Sequence, residues 1–413
     1  MKTLFLTNEY PPHTYGGAGV HVDYLSRELA KLIDVEVRTF GDQDETLSDG
    51  RLRVRGFPKD ISGYTAPKPL RSVFAALSRG VDWNTAGVDA DVVHCHTWYS
   101  HFGGILAKLN YGIPLVVTVH SLEPLRPWKR EQLAGGYDFS CWVERTAMEM
   151  ADAVIAVSRE TKADILRLFD IDASRVPIIY NGIDPAEYRP AQPGDARVRE
   201  VLEREGINPD VPYVLFVGRI ARQKGIVHLV NAIKYLDRGF QIVLCAGAPD
   251  TPEIAAEMKA AVEAAQREHG EEGIIWIERM VDKPTVLALY AGAAVFCCPS
   301  IYEPFGIINL EAMACETAVV ASAVGGIKEV VVDGETGLLV PLEQMQESPF
   351  EAADPDRFAR DLAGAINRLM TDEPLRERMA KAGRRRAVEK FSWAAIAEQT
   401  RDLYASLIAR RQG

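Results

Sequence analysis

The sequence predicts an α/β protein made of two doubly wound parallel-sheet units in series. Short, nearly continuous apolar runs rich in Val and Ile recur in both halves, each followed by a helical stretch. That is the pattern of strands covered on both faces by crossover helices. Each half also follows its first run with a loop suited to an anion, Tyr15-Gly16-Gly17-Ala18-Gly19 in one and Gly218-Arg219-Ile-Ala-Arg-Gln-Lys224-Gly225 in the other. Finally, 413 residues of which 47% are hydrophobic suffice for two full cores.

The expected strands of the first half are Thr3-Thr7, Val35-Phe40, Val92-His96, Leu115-His120, Ala153-Ser158 and Pro177-Asn181. Those of the second are Tyr213-Gly218, Gln241-Ala246, Ile274-Glu278, Val295-Pro299, Ala318-Ala321 and Gly337-Val340. Between them, the stretch from Asp184 to Asp195 holds three prolines and no apolar period, so it reads as a connection. The expected domains are therefore 1–185, completed by a closing helix over 392–413, and 186–391. A second Pro-rich, acidic loop runs from Gln344 to Pro355, and Ser392 of Phe391-Ser-Trp is placed to cap the last helix.

Composition narrows the function. A formal net charge of -11 argues against a nucleic-acid binder, which would carry surplus Lys and Arg. A pocket for a small anion remains compatible with it. The six cysteines include the adjacent pair Cys297-Cys298 and no C-x-x-C, so neither a zinc site nor a disulfide framework is expected, and they read as buried apolar residues in a reducing compartment. The opening apolar run is too short for a signal peptide and no run reaches the roughly 18 residues of a membrane span, so the expectation is a cytoplasmic protein without membrane contact.

Four constellations could carry chemistry. Gly16 and Gly17 let backbone approach a phosphate at a helix start, although a plain strand-to-helix turn uses glycines too. A dinucleotide fingerprint wants a third glycine where Val22 stands, which weakens a dehydrogenase reading even with Asp42 as a candidate ribose partner. Arg219 and Lys224 follow a strand end, where open α/β sheets bind ligands, and a fork with a mobile point charge suits a diphosphate. The alternative is a solvated basic loop. In Ser300-Ile-Tyr-Glu303-Pro-Phe305-Gly306-Ile307-Ile-Asn-Leu-Glu311, amides at a helix start face an anion while two glutamates await hydroxyls; the bland reading is a helix-start Glu and a surface Glu. His120 ends a strand and is followed by Arg126 and Lys129, either a second anion site or a charged loop.

Taken together these residues resemble the family-four retaining glycosyltransferases of GT-B fold, in the glycogen-synthase-like branch. The resemblance runs from Asn8-Glu-Tyr-Pro-Pro through Tyr15-Gly-Gly-Ala-Gly-Val-His21 to Phe391-Ser-Trp, with four motifs in order. It implies two Rossmann-like domains facing a deep cleft, with the C-terminal helix crossing back to the first domain. It implies transfer of α-glucose from a nucleotide-diphosphate glucose, ADP-glucose ahead of UDP-glucose, to glucose 1-phosphate, giving α-maltose 1-phosphate. The alternatives kept beside it are extension of an α-1,4-glucan from the same donor, a sugar-nucleotide epimerase, and a non-catalytic sugar-nucleotide-binding module. Oligomeric state is left open, a homodimer included.

By the same resemblance, Gly17 contacts the donor diphosphate with Gly16 shaping the turn, and Arg219 and Lys224 clamp it. Glu303 lies near the transferred sugar's hydroxyls and Glu311 accepts from the ribose. Phe305, Gly306 and Ile307 offer backbone to sugar or phosphate, His120 sits near the primary hydroxyl and the reacting bond, and Met280 borders the base. Starch synthases show His-Ala-His-Asp-Trp and Glu-Pro-Cys-Gly where this chain has His94-Cys-His-Thr97-Trp98 and Glu303-Pro-Phe305-Gly, which counts against long-glucan extension. Ser121-Leu-Glu-Pro-Leu-Arg126-Pro-Trp-Lys129 points to Arg126 and Lys129 holding an acceptor phosphate. The chemistry implied is front-face, with no metal or cofactor required; the D-x-D pairs Asp42/Asp44, Asp89/Asp91, Asp170/Asp172 and Asp354/Asp356 read as chance.

Overall fold

The computed structural model describes every residue of the chain except Tyr15, Pro193, Glu271, Glu272, residues 346–349 and Gly413. Tyr15 of the first glycine loop and part of the acidic loop thus lie outside the described residues. Two compact units are present, one formed by Met1–Gly182 with Trp393–Gly413 and the other by Ile183–Ser392.

The first unit runs β1 (Lys2–Thr7), α1 (Gly17–Leu29), β2 (Asp34–Thr39), β3 (Asp44–Leu47), β4 (Leu52–Gly56), α2 (Lys68–Thr85), β5 (Val92–His96), α3 (Trp98–Tyr111), β6 (Leu115–Val119), α4 (Lys129–Leu133), α5 (Gly136–Met150), β7 (Ala153–Ala156) and α6 (Arg159–Leu168). Its sheet order is β3-β4-β2-β1-β5-β6-β7, parallel except for the β3–β4 pair. Leaving aside β3, the order reverses between β1 and β5, and the carboxyl ends of those strands frame a ligand crevice in such sheets.

Two strands were not expected from the sequence. All four residues of β3 are exposed, and β4 alternates at its start, so neither shows the buried run that marks a parallel strand. Conversely, Pro177-Asn181 is not a strand. It makes one parallel bridge, Ile178 beside Ala156, because Pro177 has no N–H to continue a ladder.

The closing helix α15 (Trp393–Gln412) belongs to this first unit. Trp393, Ile396, Ala397, Tyr404 and Leu407 share a core with Val22, Leu25 and Leu29 of α1 and with the sheet. Trp393 stacks on Tyr24 at 5.6 Å, and the Tyr404 hydroxyl meets His94 Nδ1 at 2.5 Å. Each such large apolar side chain contributes on the order of 1.5–3 kcal/mol by leaving water, so α15 is an integral wall of the unit.

The second unit runs α7 (Ala196–Arg204), β8 (Tyr213–Arg219), α8 (Ile226–Ala232), β9 (Gln241–Gly247), α9 (Pro252–His269), β10 (Ile274–Ile277), α10 (Lys283–Gly292), β11 (Val295–Cys298), α11 (Ile307–Ala314), β12 (Ala318–Ser322), α12 (Ile327–Val330), β13 (Gly337–Val340), α13 (Pro355–Thr371) and α14 (Glu373–Lys390). The all-parallel order β10-β9-β8-β11-β12-β13 reverses between β8 and β11. Most of its helices open on side-chain caps: Asp195, Thr251, Asp282, Asp354 and Asp372 each accept a first-turn N–H.

The D-x-D pairs have local work of this kind. Asp354 caps α13, Asp172 caps a short 3-10 turn, Asp91 and Asp89 meet Lys2, and Asp42 pairs with His13 at 2.9 Å. Among the described residues no helix is long and apolar enough to cross a membrane. All six cysteines are free thiols, five of them buried.

Candidate active site

In the second unit the switch point is built from the loops after β8 and β11. The β8 loop folds back through a 3-10 turn over Arg222–Lys224 and leaves it at Gly225, whose φ is +62°. A Cβ on Gly225 would stand 2.0 Å from the Pro299 carbonyl oxygen, so only glycine lets this loop lie against the one after β11. The contact is sealed by Ile301 N–H donating to Gln223 O at 2.9 Å. As a result Lys224 Nζ reaches Glu303 Oε2 at 2.6 Å, with Ser300 Oγ donating to the same oxygen at 3.4 Å.

Arg219, the last residue of β8, pairs with Asp250, which follows β9. Both cations and both carboxylates are largely buried. Each of these two cations is thus matched by a carboxylate that an incoming anion would have to displace.

Glu303 is held from below. Its carbonyl accepts from Gly326 N–H at 3.0 Å, and Gly325, at φ +49°, would drive a Cβ to 2.0 Å from that same oxygen. Gly306, at φ +96°, turns the chain into α11. Glu311 lies within that helix, buried, and both of its oxygens accept phenolic O–H groups, from Tyr188 at 2.9 Å and from Tyr290 at 3.1 Å. Burial raises its carboxyl above the usual range, and the two hydroxyls offset part of that. The reading of Glu311 as a surface residue is excluded.

The Phe305 ring is core, 5.7 Å from Phe391, so only its backbone is available to a ligand. Ile307 starts α11 and is half-buried. Met280 is not gathered with the others: it follows the edge strand β10, separated from β8 by β9, and is 59% exposed.

In the first unit Gly16 caps α1 and Gly17 is its first residue. The Gly16 N–H donates to Glu9 Oε2 at 2.7 Å, which ties the turn into α1 to the segment after β1. The loop after β6 is not a solvated basic patch. Arg126 is 9% exposed, donates to Ser121 Oγ at 3.0 Å and lies 3.5 Å from Glu123. Glu123 is itself fixed by Ser140 Oγ at 2.9 Å, and its N–H donates to Glu144 Oε2 at 2.9 Å. Burial, and then the charge of Glu123, raise the Glu144 carboxyl well above its usual range. Lys129 opens α4 with its ammonium 5.9 Å above the Tyr99 ring.

His120 follows β6 and faces two imidazoles that sequence reasoning did not single out. His96 ends β5, and His21 lies on the second turn of α1. Ligating nitrogens of the three all lie within 4.8 Å of one another. His96 Nδ1 and His120 Nε2 are 3.0 Å apart, the His21 and His120 rings meet edge to face at 4.7 Å, and His21 Nδ1 bonds Asn181 Oδ1 at 2.5 Å. The only available signal was the His94-Cys-His96 pair at a strand end.

Burial lowers all three imidazoles, His96 and His120 well below the usual value and His21 to about 4 against the Asn181 bond that raises it. The unfolded chain thus binds protons below pH 6.5 that the folded unit refuses, and stability present above 6.5 is lost as pH falls toward 4. For His21 alone this amounts to about 3 kcal/mol between pH 7 and 4. Urea unfolding at both pH values is expected to show His21→Asn losing that much less stability on acidification than the wild type; equal losses would show that His21 does not titrate as argued.

Residues 15–187 match the family model described as Glycosyltransferase Family 4, and residues 198–349 the model described as Glycosyl transferases group 1. With its two Rossmann-like units, the chain belongs to the family-four glycosyltransferases, hexosyltransferases of GT-B fold. It is similar to the α-maltose-1-phosphate synthase of Mycolicibacterium smegmatis, 47% identical over 414 residues covering 99% of this chain and 100% of the relative. The enzyme of that name from Mycobacterium tuberculosis is 46% identical over 410 residues, again covering 99% of this chain and 100% of the relative. Among solved structures, sucrose-phosphate synthase from Thermosynechococcus elongatus matches with a TM-score of 0.78 at 26% identity, covering 99% of both chains.

Proposed function

We propose that this protein is a retaining glucosyltransferase that moves α-glucose from a nucleotide-diphosphate glucose, ADP-glucose in preference to UDP-glucose, to glucose 1-phosphate, forming α-maltose 1-phosphate. The observation that carries the donor side is the paired arrangement Arg219–Asp250 and Lys224–Glu303 at the β8/β11 switch point. A fork and a point charge held in place by exchangeable carboxylates suit the two phosphates of a nucleotide diphosphate. Residues 186–391 act as the donor domain, and 1–185 with 392–413 as the acceptor side. Relatives named α-maltose-1-phosphate synthase, similar along the whole chain, support the acceptor.

In this reading the bond from the glucose anomeric carbon to the diphosphate oxygen breaks as the acceptor hydroxyl oxygen bonds to that carbon from the same face, and its proton passes to the departing phosphate oxygen. Arg219, Lys224 and the amides at Gly306 and Ile307 stabilise the charge that collects on the leaving group. Glu303, released from Lys224, accepts from sugar hydroxyls, and Glu311 orders the ribose side through Tyr188 and Tyr290. Gly17 gives the donor diphosphate a close backbone approach, and Met280 borders the base. His120 meets the primary hydroxyl. Arg126 and Lys129 hold the acceptor phosphate, with Glu123 setting the Arg126 fork. The free thiols suit a reducing compartment, and we place the reaction in the cytoplasm.

The test is product identity. Incubation with ADP-glucose or UDP-glucose, and with glucose 1-phosphate or an α-1,4-glucan, is expected to yield α-maltose 1-phosphate fastest from ADP-glucose and glucose 1-phosphate. A lengthened glucan as the main product would replace this reading with chain extension. On the acceptor side, Arg126→Ala is expected to raise the KM for glucose 1-phosphate about 10- to 100-fold, from the loss of one charge-assisted contact. An unchanged KM would remove Arg126 from the acceptor site.

A further inference from the structure

We propose that His96 is a positioning residue that fixes the tautomer of His120, so that His120 presents Nδ1–H as a hydrogen-bond donor and does not serve as a base. The consequence for catalysis rests on the reading that His120 meets the donor sugar; the tautomer itself does not.

The geometry leaves few proton arrangements. His96 Nδ1 and His120 Nε2 lie 3.0 Å apart, the length of an N–H···N bond, so one proton sits between two neutral rings. If His120 Nε2 carried it, His96 would be the acceptor at Nδ1 and would bear its own proton on Nε2. That atom is fully buried and, among the described residues, has no hydrogen-bond partner. A buried N–H without a partner is far rarer and more costly than a bare ring lone pair. The proton therefore belongs to His96 Nδ1. His120 Nε2 is the acceptor, and the remaining His120 proton must be on Nδ1.

The surroundings hold His96 to this task. Its N–H donates to Ser100 Oγ at 3.0 Å, and its carbonyl accepts from that hydroxyl at 3.0 Å. The next residue, Thr97, sits at φ +70° and ψ 156°, a backbone conformation that L-residues adopt only where neighbours enforce it, and its Oγ1 donates to Asn8 Oδ1 at 2.7 Å. His21 completes the arrangement. Its Nδ1–H is taken by Asn181, so its Nε2 is a lone pair that cannot donate to His120, and its ring presses on the face of His120. Among the described residues neither bare Nε2, of His21 or of His96, has a hydrogen-bond partner, so neither engages the Nδ1 proton.

The deciding measurement is the imidazole 15N spectrum of the full chain labelled at its eight histidines, with His120 assigned by its loss in His120→Gln. The wild type is expected to show His120 protonated at Nδ1 and bare at Nε2. A His120 protonated at Nε2 overturns the proposal, as does a tightly retained divalent ion on the three rings, which would leave no shared proton. His96→Phe is expected to free His120 to the Nε2–H form and lower kcat about tenfold, the worth of one hydrogen bond, with the donor KM little changed. His96→Asn keeps an N–H near the lost Nδ1–H and is expected to restore most of that rate. A drop in kcat for His96→Phe without a change of tautomer, or no change in either, also overturns it. Should His96→Phe not fold, the wild-type spectrum alone decides. Unchanged turnover in His120→Gln would instead remove His120 from the sugar site while leaving the tautomer assignment standing.

Discussion

Lys224→Ala is expected to lower kcat/KM for the nucleotide sugar about 10³-fold, the upper end of what removing one preorganised group facing developing charge costs. Two losses combine. The leaving diphosphate loses a positive charge in a site where water does not screen it. In addition, Glu303, only 9% exposed, loses the ammonium at 2.6 Å and keeps the neutral Ser300 hydroxyl at 3.4 Å. The second loss can be separated from the first. If the pair is coupled, adding Glu303→Gln to Lys224→Ala costs less than Glu303→Gln costs the wild type, by about 1 kcal/mol or more. Steady-state kinetics on the four proteins of this cycle measure both. A strictly additive cycle would show that the ion pair is incidental to the reaction, and a Lys224→Ala loss below tenfold would remove the lysine from the leaving-group site.

Gly325→Ala is expected to cost the second unit about 4 kcal/mol or more. A left-handed φ of +49° alone costs an alanine about 1–2 kcal/mol. The remainder comes from a Cβ at 2.0 Å from the Glu303 carbonyl oxygen, which cannot be relieved without moving the backbone that aims Glu303. Gly334→Ala is the control: φ is +74° there but nothing lies within 4 Å of the added carbon. Urea unfolding is expected to show Gly334→Ala down by about 1 kcal/mol and Gly325→Ala down several times more, with transferase activity lost in step. If the two variants unfold alike, the crowding beneath Glu303 is not what fixes that loop.

Much of this was legible in the sequence because parallel strands buried on both faces announce themselves as apolar runs. Eleven of the twelve expected strands, from Thr3-Thr7 to Gly337-Val340, lie within a residue or two of where they form, whereas β3 was invisible because an exposed edge strand such as Asp44-Glu-Thr-Leu has no reason to be apolar. Pro177-Asn181 misled in the opposite direction: its composition suits a strand, but its first residue cannot donate. Arg219, Lys224, Glu303 and Glu311 could be found because each sits at a fixed offset from a strand end or a helix start. Their partners could not be. Asp250, Tyr188, Tyr290, Glu9 and Asn181 come from other segments, and a single acidic, phenolic or amide residue carries no mark of what it faces. The same holds for Glu144, buried on a helix whose pattern looks merely amphipathic.

In the proposed donor site, the carboxylates that hold Arg219 and Lys224 would set a threshold for entry. An orthophosphate or a monophosphate can answer only one of the two cations and leaves the other pair intact, so it exchanges one ion pair for another at little net advantage. A diphosphate engages both at once, releasing two carboxylates together, and its second contact is intramolecular once the first has formed. The two ion pairs of the proposed donor site would therefore discriminate without any steric gate, favouring a ligand whose two charges arrive joined.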